Sequence, residues 1–241
     1  MDDQVRLLTG WFRTGNWPVL PCPACSKGKL TADDEHLKHL QSPSTYGWES
    51  GGDPTDIRGI FHGFLFCNAQ ACRERVAVVG DYAVQYDIDD NLDHYFRVRV
   101  LHPPVPVVEI PDSVPGSIRQ TLLRAAGLAW SDPSAGIALL RQSIERLMDE
   151  QGIAATTAND KFRPLHQRLT DFRAIESEVA DLLEAVKWVG NEGTHPGGLD
   201  AVDFVEAAEL VELALKLLFK SDTSALHERA RRVVQAKRWV P

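Results

Sequence analysis

The sequence predicts an α+β protein: a small antiparallel β module over residues 1–104, followed by an all-α helical bundle over residues 112–241. Three observations carry that expectation. Short runs rich in β-branched and aromatic residues alternate with polar turns between Ile57 and Leu101, whereas apolar residues recur at helical spacing from Ser117 onward. Between the two regimes stands His102-Pro103-Pro104-Val105-Pro106, with Pro111 and Pro115 beyond it. Such a run can join neither a central strand nor a helix interior and reads as a stiff linker.

Taken in order, Val5, Leu7, Leu8, Trp11 and Phe12 supply a short helix or packed arm. Trp17-Pro18-Val19-Leu20-Pro21 then runs extended into Cys22, because a residue before proline is pushed out of the helical region. Residues 26–56 are polar and read as an insertion, with a helical turn between Thr31 and Leu40. Ile57 to Phe66, Arg75 to Val79, Tyr82 to Tyr86 and Tyr95 to Leu101 read as strands, with Gly80-Asp81 and Asp87 to Asp93 as turns. In the second half a first helix starts near Ser117. A second is capped by Asp132 with Pro133 at its first position, carries Ile137, Leu140, Ile144, Leu147 and Met148 on one face, and closes at Gly152. A third spans Phe162 to Phe172, and a fourth runs from about Ala174 to Val189 with Gly190 as its cap. A fifth runs from Asp200 to Phe219, apolar on more than one side and therefore central. Thr223 to about Trp239 forms a terminal amphipathic helix.

Of the 241 residues, 44% are hydrophobic and 25% charged, as in an ordinary globular protein. No apolar run approaches the ~20 residues that span a bilayer, and the start lacks the pattern of a signal peptide, so the expected location is cytoplasmic with no membrane partner. A net charge of -8 argues against a surface that wraps nucleic acid throughout, since phosphate affinity comes from clustered Lys and Arg. The charge is uneven, however. Near the C-terminus Arg229, Arg231, Arg232, Lys237 and Arg238 face the single acid Glu228. This tail suits RNA, DNA or an acidic protein partner, and equally a solvated helix end whose cations complement the dipole.

The four cysteines fall as Cys22-x2-Cys25 and Cys67-x4-Cys72. Each pair sits on a tight turn, so two thiolates approach a metal from one side and two turns complete a tetrahedron. Cys22, Cys25, Cys67 and Cys72 are thus the expected ligands of one structural Zn²⁺, with no coordination position left open for catalysis. A mixed site using His36 and His39 has only two residues between its histidines and strands Cys67 and Cys72. A thioredoxin-like reading of Cys22 and Cys25 lacks the βαβ context it needs.

One polar segment remains, Gly190-Asn191-Glu192-Gly193-Thr194-His195-Pro196. Asn191 and His195 suit an ordinary turn as well as a catalytic one. Together with the cysteine module and Ala138-Leu139-Leu140-Arg141-Gln142-Ser143-Ile144-Glu145-Arg146-Leu147, the segment resembles a bacterial domain-of-unknown-function family that joins a zinc ribbon to a helical domain of the HEPN type (higher eukaryotes and prokaryotes nucleotide-binding). The resemblance implies a zinc-ribbon-like first domain, a HEPN-like bundle that pairs as a homodimer, and a setting in defence or nucleic-acid processing. It also implies metal-independent RNA cleavage by an Arg and a His, the His as general acid or base and the Arg stabilising phosphoryl charge. His195 and Asn191 match that pattern. Lys187 stands where relatives carry Arg, and it lacks the two-pronged grip of a guanidinium; Arg141 is the candidate substitute. Two functions follow: a nucleic-acid-associated adaptor whose site is degenerate, or an active endoribonuclease.

Overall fold

The computed structural model describes residues 3–25, 27–45, 51–192, 198–219 and 224–238, with side chains placed for these except at 33–34, 191–192 and 224–228. The α+β class holds. A short helix α1 (Asp3–Arg6) precedes β1 (Phe12–Arg13), β2 (Leu20–Pro21), β3 (Lys29–Gln41), β4 (Arg58–Cys67), β5 (Arg75–Tyr86) and β6 (Leu92–His102). These strands form one antiparallel sheet of six in the order β1-β6-β5-β4-β3-β2.

Strict alternation on β4 explains the sheet. Phe61, Leu65 and Cys67 are buried on its inner face, while Ile60, His62 and Phe64 face out. Opposite them Val76, Val78 and Tyr82 of β5 and Phe96 and Val98 of β6 complete the inner face, where the Phe61 and Phe96 rings stack at 4.3 Å.

Two strand expectations are corrected. The helical turn expected between Thr31 and Leu40 is part of β3, whose register against β4 shifts between Ala32 and Leu37. That bulge breaks the period that would have revealed a strand. The turn expected at Gly80-Asp81 lies inside the single strand β5, again beside a register shift. Gly80 is needed there for close approach, since a Cβ would lie 2.0 Å from the Arg97 carbonyl oxygen.

The helices that follow are α2 (Gly116–Leu128), α3 (Pro133–Glu150), α4 (Leu165–Phe172), α5 (Ser177–Glu192), α6 (Ala201–Leu218) and α7 (Ser224–Ala236). On α3, Asp132 Oδ1 accepts from the Ala135 amide at 3.0 Å, all five expected face residues are buried, and Gly152 takes a φ of 74° just past the end. The third helix is shorter than expected, because Pro164 caps it and Phe162 lies outside it in an isolated bridge to Thr156. The fourth runs past its expected cap. Gly190 lies within α5, where a Cβ would sit 3.5 Å from Ile137 and 3.9 Å from the Arg141 Cδ, in ordinary contact, so the residue faces α3 and does not end the helix. The central position expected of α6 is met: Phe204, Val205, Ala208, Val211 and Leu215 are buried, and a capping box of Asp200 and Asp203 starts the helix.

The proline-rich connection is packed down. Val105, Val107, Val108 and Val114 are buried and belong to one core cluster that runs from the sheet into the helices. Across the same seam the Glu109 amide donates to Glu212 on α6 at 3.0 Å. A cavity of about 710 Å³ opens there between Pro21, Val108, Arg119 and Lys216. Among the described residues no helix is long and apolar enough to cross a membrane.

Candidate metal centre and basic cleft

Hairpin geometry gathers the cysteines. Cys22 and Cys25 lie in the turn from β2 to β3, Cys67 ends β4, and Cys72 lies in the turn from β4 to β5. Because β3 pairs with β4 in the register Leu30 to Cys67, the two turns sit side by side. Asn68 ties them: its side-chain oxygen accepts from the Lys29 amide at 2.9 Å and its own amide donates to the Lys29 carbonyl at 3.0 Å. Arg73, at a positive φ of 54°, completes the second turn.

The four sulfurs all lie within 4.8 Å of one another, with Cys22 to Cys72 and Cys25 to Cys67 both at 3.8 Å. A tetrahedral ion with metal–sulfur bonds of about 2.3 Å would set its sulfurs about 3.8 Å apart. The cluster can therefore hold a metal ion and is compatible with zinc. Gly28 makes room for it, because a Cβ there would fall 2.3 Å from the Cys67 sulfur. Its amide donates to Cys25 Sγ at 3.3 Å, and that contact leads in drawing the Cys25 thiol down to about 6. Burial pushes the Cys67 thiol up. At Cys72 the Glu74 backbone contact pulls the other way, yet burial and the neighbouring thiols take it up to about 12. Four thiols this close cannot all ionise without a cation among them. His36 and His39 are engaged elsewhere, their rings packed on Phe66 at 4.7 Å and Tyr82 at 4.4 Å.

The other candidate residues converge in part. Arg141 of α3 and Lys187 of α5 line one cleft of about 390 Å³, together with His166, Arg173 and Glu184. Asn191 is in the last turn of α5, but its side chain lies outside the described residues, as does His195. Lys187 is only 5% exposed. Its Nζ donates to Glu184 Oε1 at 3.0 Å and lies 4.4 Å from the centre of the Trp188 ring. Arg173 donates to the other Glu184 oxygen at 2.7 Å and to Asp181 at 2.6 Å. Glu184 is thus a bridge between two cations. The spacing Glu184-x2-Lys187 is the sequence signal for this pair; His166 and Arg173, brought in by α4 and its C-terminal end, leave none.

Held first by Arg173 and then by Lys187, the Glu184 carboxyl titrates at about 2 instead of 4.5. A carboxyl whose folded-state value is depressed contributes stability above its ordinary value and loses it as pH falls toward the folded one. Wild type is therefore expected to melt above Glu184→Gln at about pH 7, with the gap closing between pH 4.5 and about 2. The effect is modest because the carboxylate is partly solvated. A gap that stays constant over this range in calorimetric melts would show that the bridge contributes nothing to stability.

Two family models match this chain. Residues 11–100, the span of the sheet, match a domain of unknown function (DUF8608), and residues 124–236, the span of the helices from within α2 to the end of α7, match another domain of unknown function (DUF4145). No curated protein and no solved structure matches the chain. The metal-competent cluster thus belongs to the DUF8608-like region and the basic cleft to the DUF4145-like region.

Proposed function

We propose that the protein is a zinc-stabilised, non-catalytic adaptor of a nucleic-acid-processing or defence system. In this reading Cys22, Cys25, Cys67 and Cys72 hold a structural Zn²⁺, and the helices form a HEPN-like interaction surface that pairs with a second copy. The observation that carries it is the state of Lys187. The residue in the place of the expected arginine is buried and neutralised by Glu184, so its charge is spent inside the protein. Four sulfurs around one ion would likewise leave no open position for a substrate.

A second reading has one observation in its favour, the meeting of Arg141 and Lys187 in a single cleft beside α5, the helix that precedes His195 in the chain. There Arg141 would stabilise a phosphoryl group, with His195 as general acid or base and Asn191 as its orienting neighbour. Incubation of total RNA and tRNA with wild type and His195→Ala, in buffer without added divalent metal, separates the two. Adaptor function predicts intact RNA with both proteins. Cleavage by wild type that His195→Ala abolishes would establish the endonuclease.

A further inference from the structure

The outward face of the sheet collects rings and cations on a chain that is acidic overall. β4 places His62, Phe64 and Phe66 there in succession, and strand register sets Lys38 of β3 beside His62 and Arg75 of β5 beside Phe66. Alternate residues on a strand lie roughly 7 Å apart, so the two Phe rings stand as neighbouring platforms on one strand. Phe64 is 48% exposed, a large ring left in water on an interior strand. Phe66 is braced edge-on by His36 at 4.7 Å, while the Arg75 guanidinium lies 5.8 Å from its centre. Ile60 and Val79, also exposed, extend the apolar floor beyond Phe64, on either side of His62.

On β5 and β6 the charge of this face leans positive. The acids that β5 and β6 carry there, Asp81 and Asp93, are ion-paired with Arg99 and Arg13. Lys38, Arg75 and, in register with Asp81, Arg97 add positive charge around the rings. The centre of a protein–protein interface is depleted of lysine, whereas here Lys38 lies in register beside His62, amid the exposed Leu40, Ile60, Val79 and Val100. Aromatic faces spaced among cations are what bases and phosphates of an unpaired strand require, because every base has a face to stack and every linkage a charge.

We propose that the outward face of β3 to β6 binds single-stranded nucleic acid, with Phe64 and Phe66 as stacking platforms and Lys38, Arg75 and Arg97 as phosphate contacts. The inference deepens the nucleic-acid part of the adaptor reading and uses none of the cleft residues. Stacking on an open ring such as Phe64, beside the Phe66 ring that Arg75 covers in part, is tolerant of sequence, so no strong base preference is expected.

Fluorescence anisotropy on the full chain tests it, with labelled mixed-sequence RNA and DNA strands of about 12 nucleotides, a length within single-strand site sizes, and the corresponding DNA duplex. The expected result is that a single strand binds more tightly than the duplex, the RNA and DNA arms telling which sugar is preferred. Phe64→Ala should weaken binding by about tenfold, and Phe64→Tyr should retain it. Lys38→Gln with Arg75→Gln should flatten the dependence of log affinity on log salt by about 1.4, at about 0.7 for each phosphate left unneutralised. Both substituted cations are exposed, so this pair decides the question even where a Phe64 variant folds poorly. Binding that survives Phe64→Ala but disappears in Arg173→Gln would overturn the sheet as the site and leave the adaptor reading standing. Absence of binding to all three probes would overturn both. A duplex that binds as tightly as the single strand, or a Phe64→Ala variant altered only in self-association, would also overturn the sheet proposal.

Discussion

Cys67→Ala is expected to reduce the metal content from one ion per chain to a small fraction and to lower the melting temperature by about 10 °C or more. Structural zinc in thiolate sites contributes about 10–16 kcal/mol of binding free energy in small modules, all of which is coupled to folding. Losing one thiolate of four opens the coordination shell to water, and a net destabilisation of about 4 kcal/mol already lowers melting by about 10 °C in a chain of this size. Cys67 is the most telling of the four. It ends β4, pairs in register with Leu30, and touches the space kept free by Gly28, so its loss loosens both turns at once. Gly28→Ala should reproduce part of the effect with all four sulfurs present, because its methyl group would intrude on the Cys67 sulfur. Metal analysis by plasma mass spectrometry alongside thermal melts checks both variants. Unchanged zinc in Cys67→Ala would overturn the four-sulfur assignment.

The largest effect on the helices is expected where α3 crosses α6. Phe204 is 1% exposed, and its ring lies so close to Gly136 that a Cβ there would be 2.8 Å from it, with the Ala125 carbonyl oxygen 3.3 Å away. Phe204→Ala should cost about 3–5 kcal/mol, as ring deletions from a packed core do. Gly136→Ala should itself destabilise by about 1–3 kcal/mol through overpacking, although alanine favours a helix interior by about 1 kcal/mol. With the ring deleted the clash at 2.8 Å disappears, leaving the helix preference against the 3.3 Å approach to the Ala125 carbonyl oxygen, which a shift of a few tenths of an ångström relieves. The sign should therefore reverse: Gly136→Ala is expected to be neutral or stabilising in the Phe204→Ala background. Urea denaturation of the four proteins in the cycle measures this directly. Additive effects would mean that the new methyl group is accommodated without meeting Phe204.

Some of this structure is legible in the sequence because its signal is local. The cysteine spacings mark two tight turns, and the sulfurs do meet. Asp132, Pro133 and Gly152 mark both ends of α3 because capping requires those residue types at those places. The departures share a cause. Gly80 and Gly190 read as punctuation, yet each sits inside an element where another part of the chain comes close, Arg97 in one case and Ile137 in the other. A glycine required by a neighbour distant in sequence, as Gly80 is by the Arg97 carbonyl, looks the same as a glycine required by a turn. β3 is hidden because its bulge shifts the alternation in the middle of a polar stretch. In the cleft, motif position singles out Arg141 and Lys187, but the fate of Lys187 depends on Glu184 and Arg173, the second delivered from outside α5.

The packed valines of the connection have a consequence for how the molecule responds as a whole. With Val105, Val107, Val108 and Val114 buried in a core continuous from sheet to helices, there is no free hinge at which one half could melt alone. Unfolding should be a single cooperative transition, the same by far-ultraviolet dichroism of the helices as by fluorescence of a variant that keeps Trp17, beside the sheet, as its only one of the six tryptophans. If a metal ion fills the cysteine cluster, its removal by a chelator is then expected to lower the melting of the helices together with that of the sheet, since Cys22 and Cys67 belong to the same core as α2 and α6.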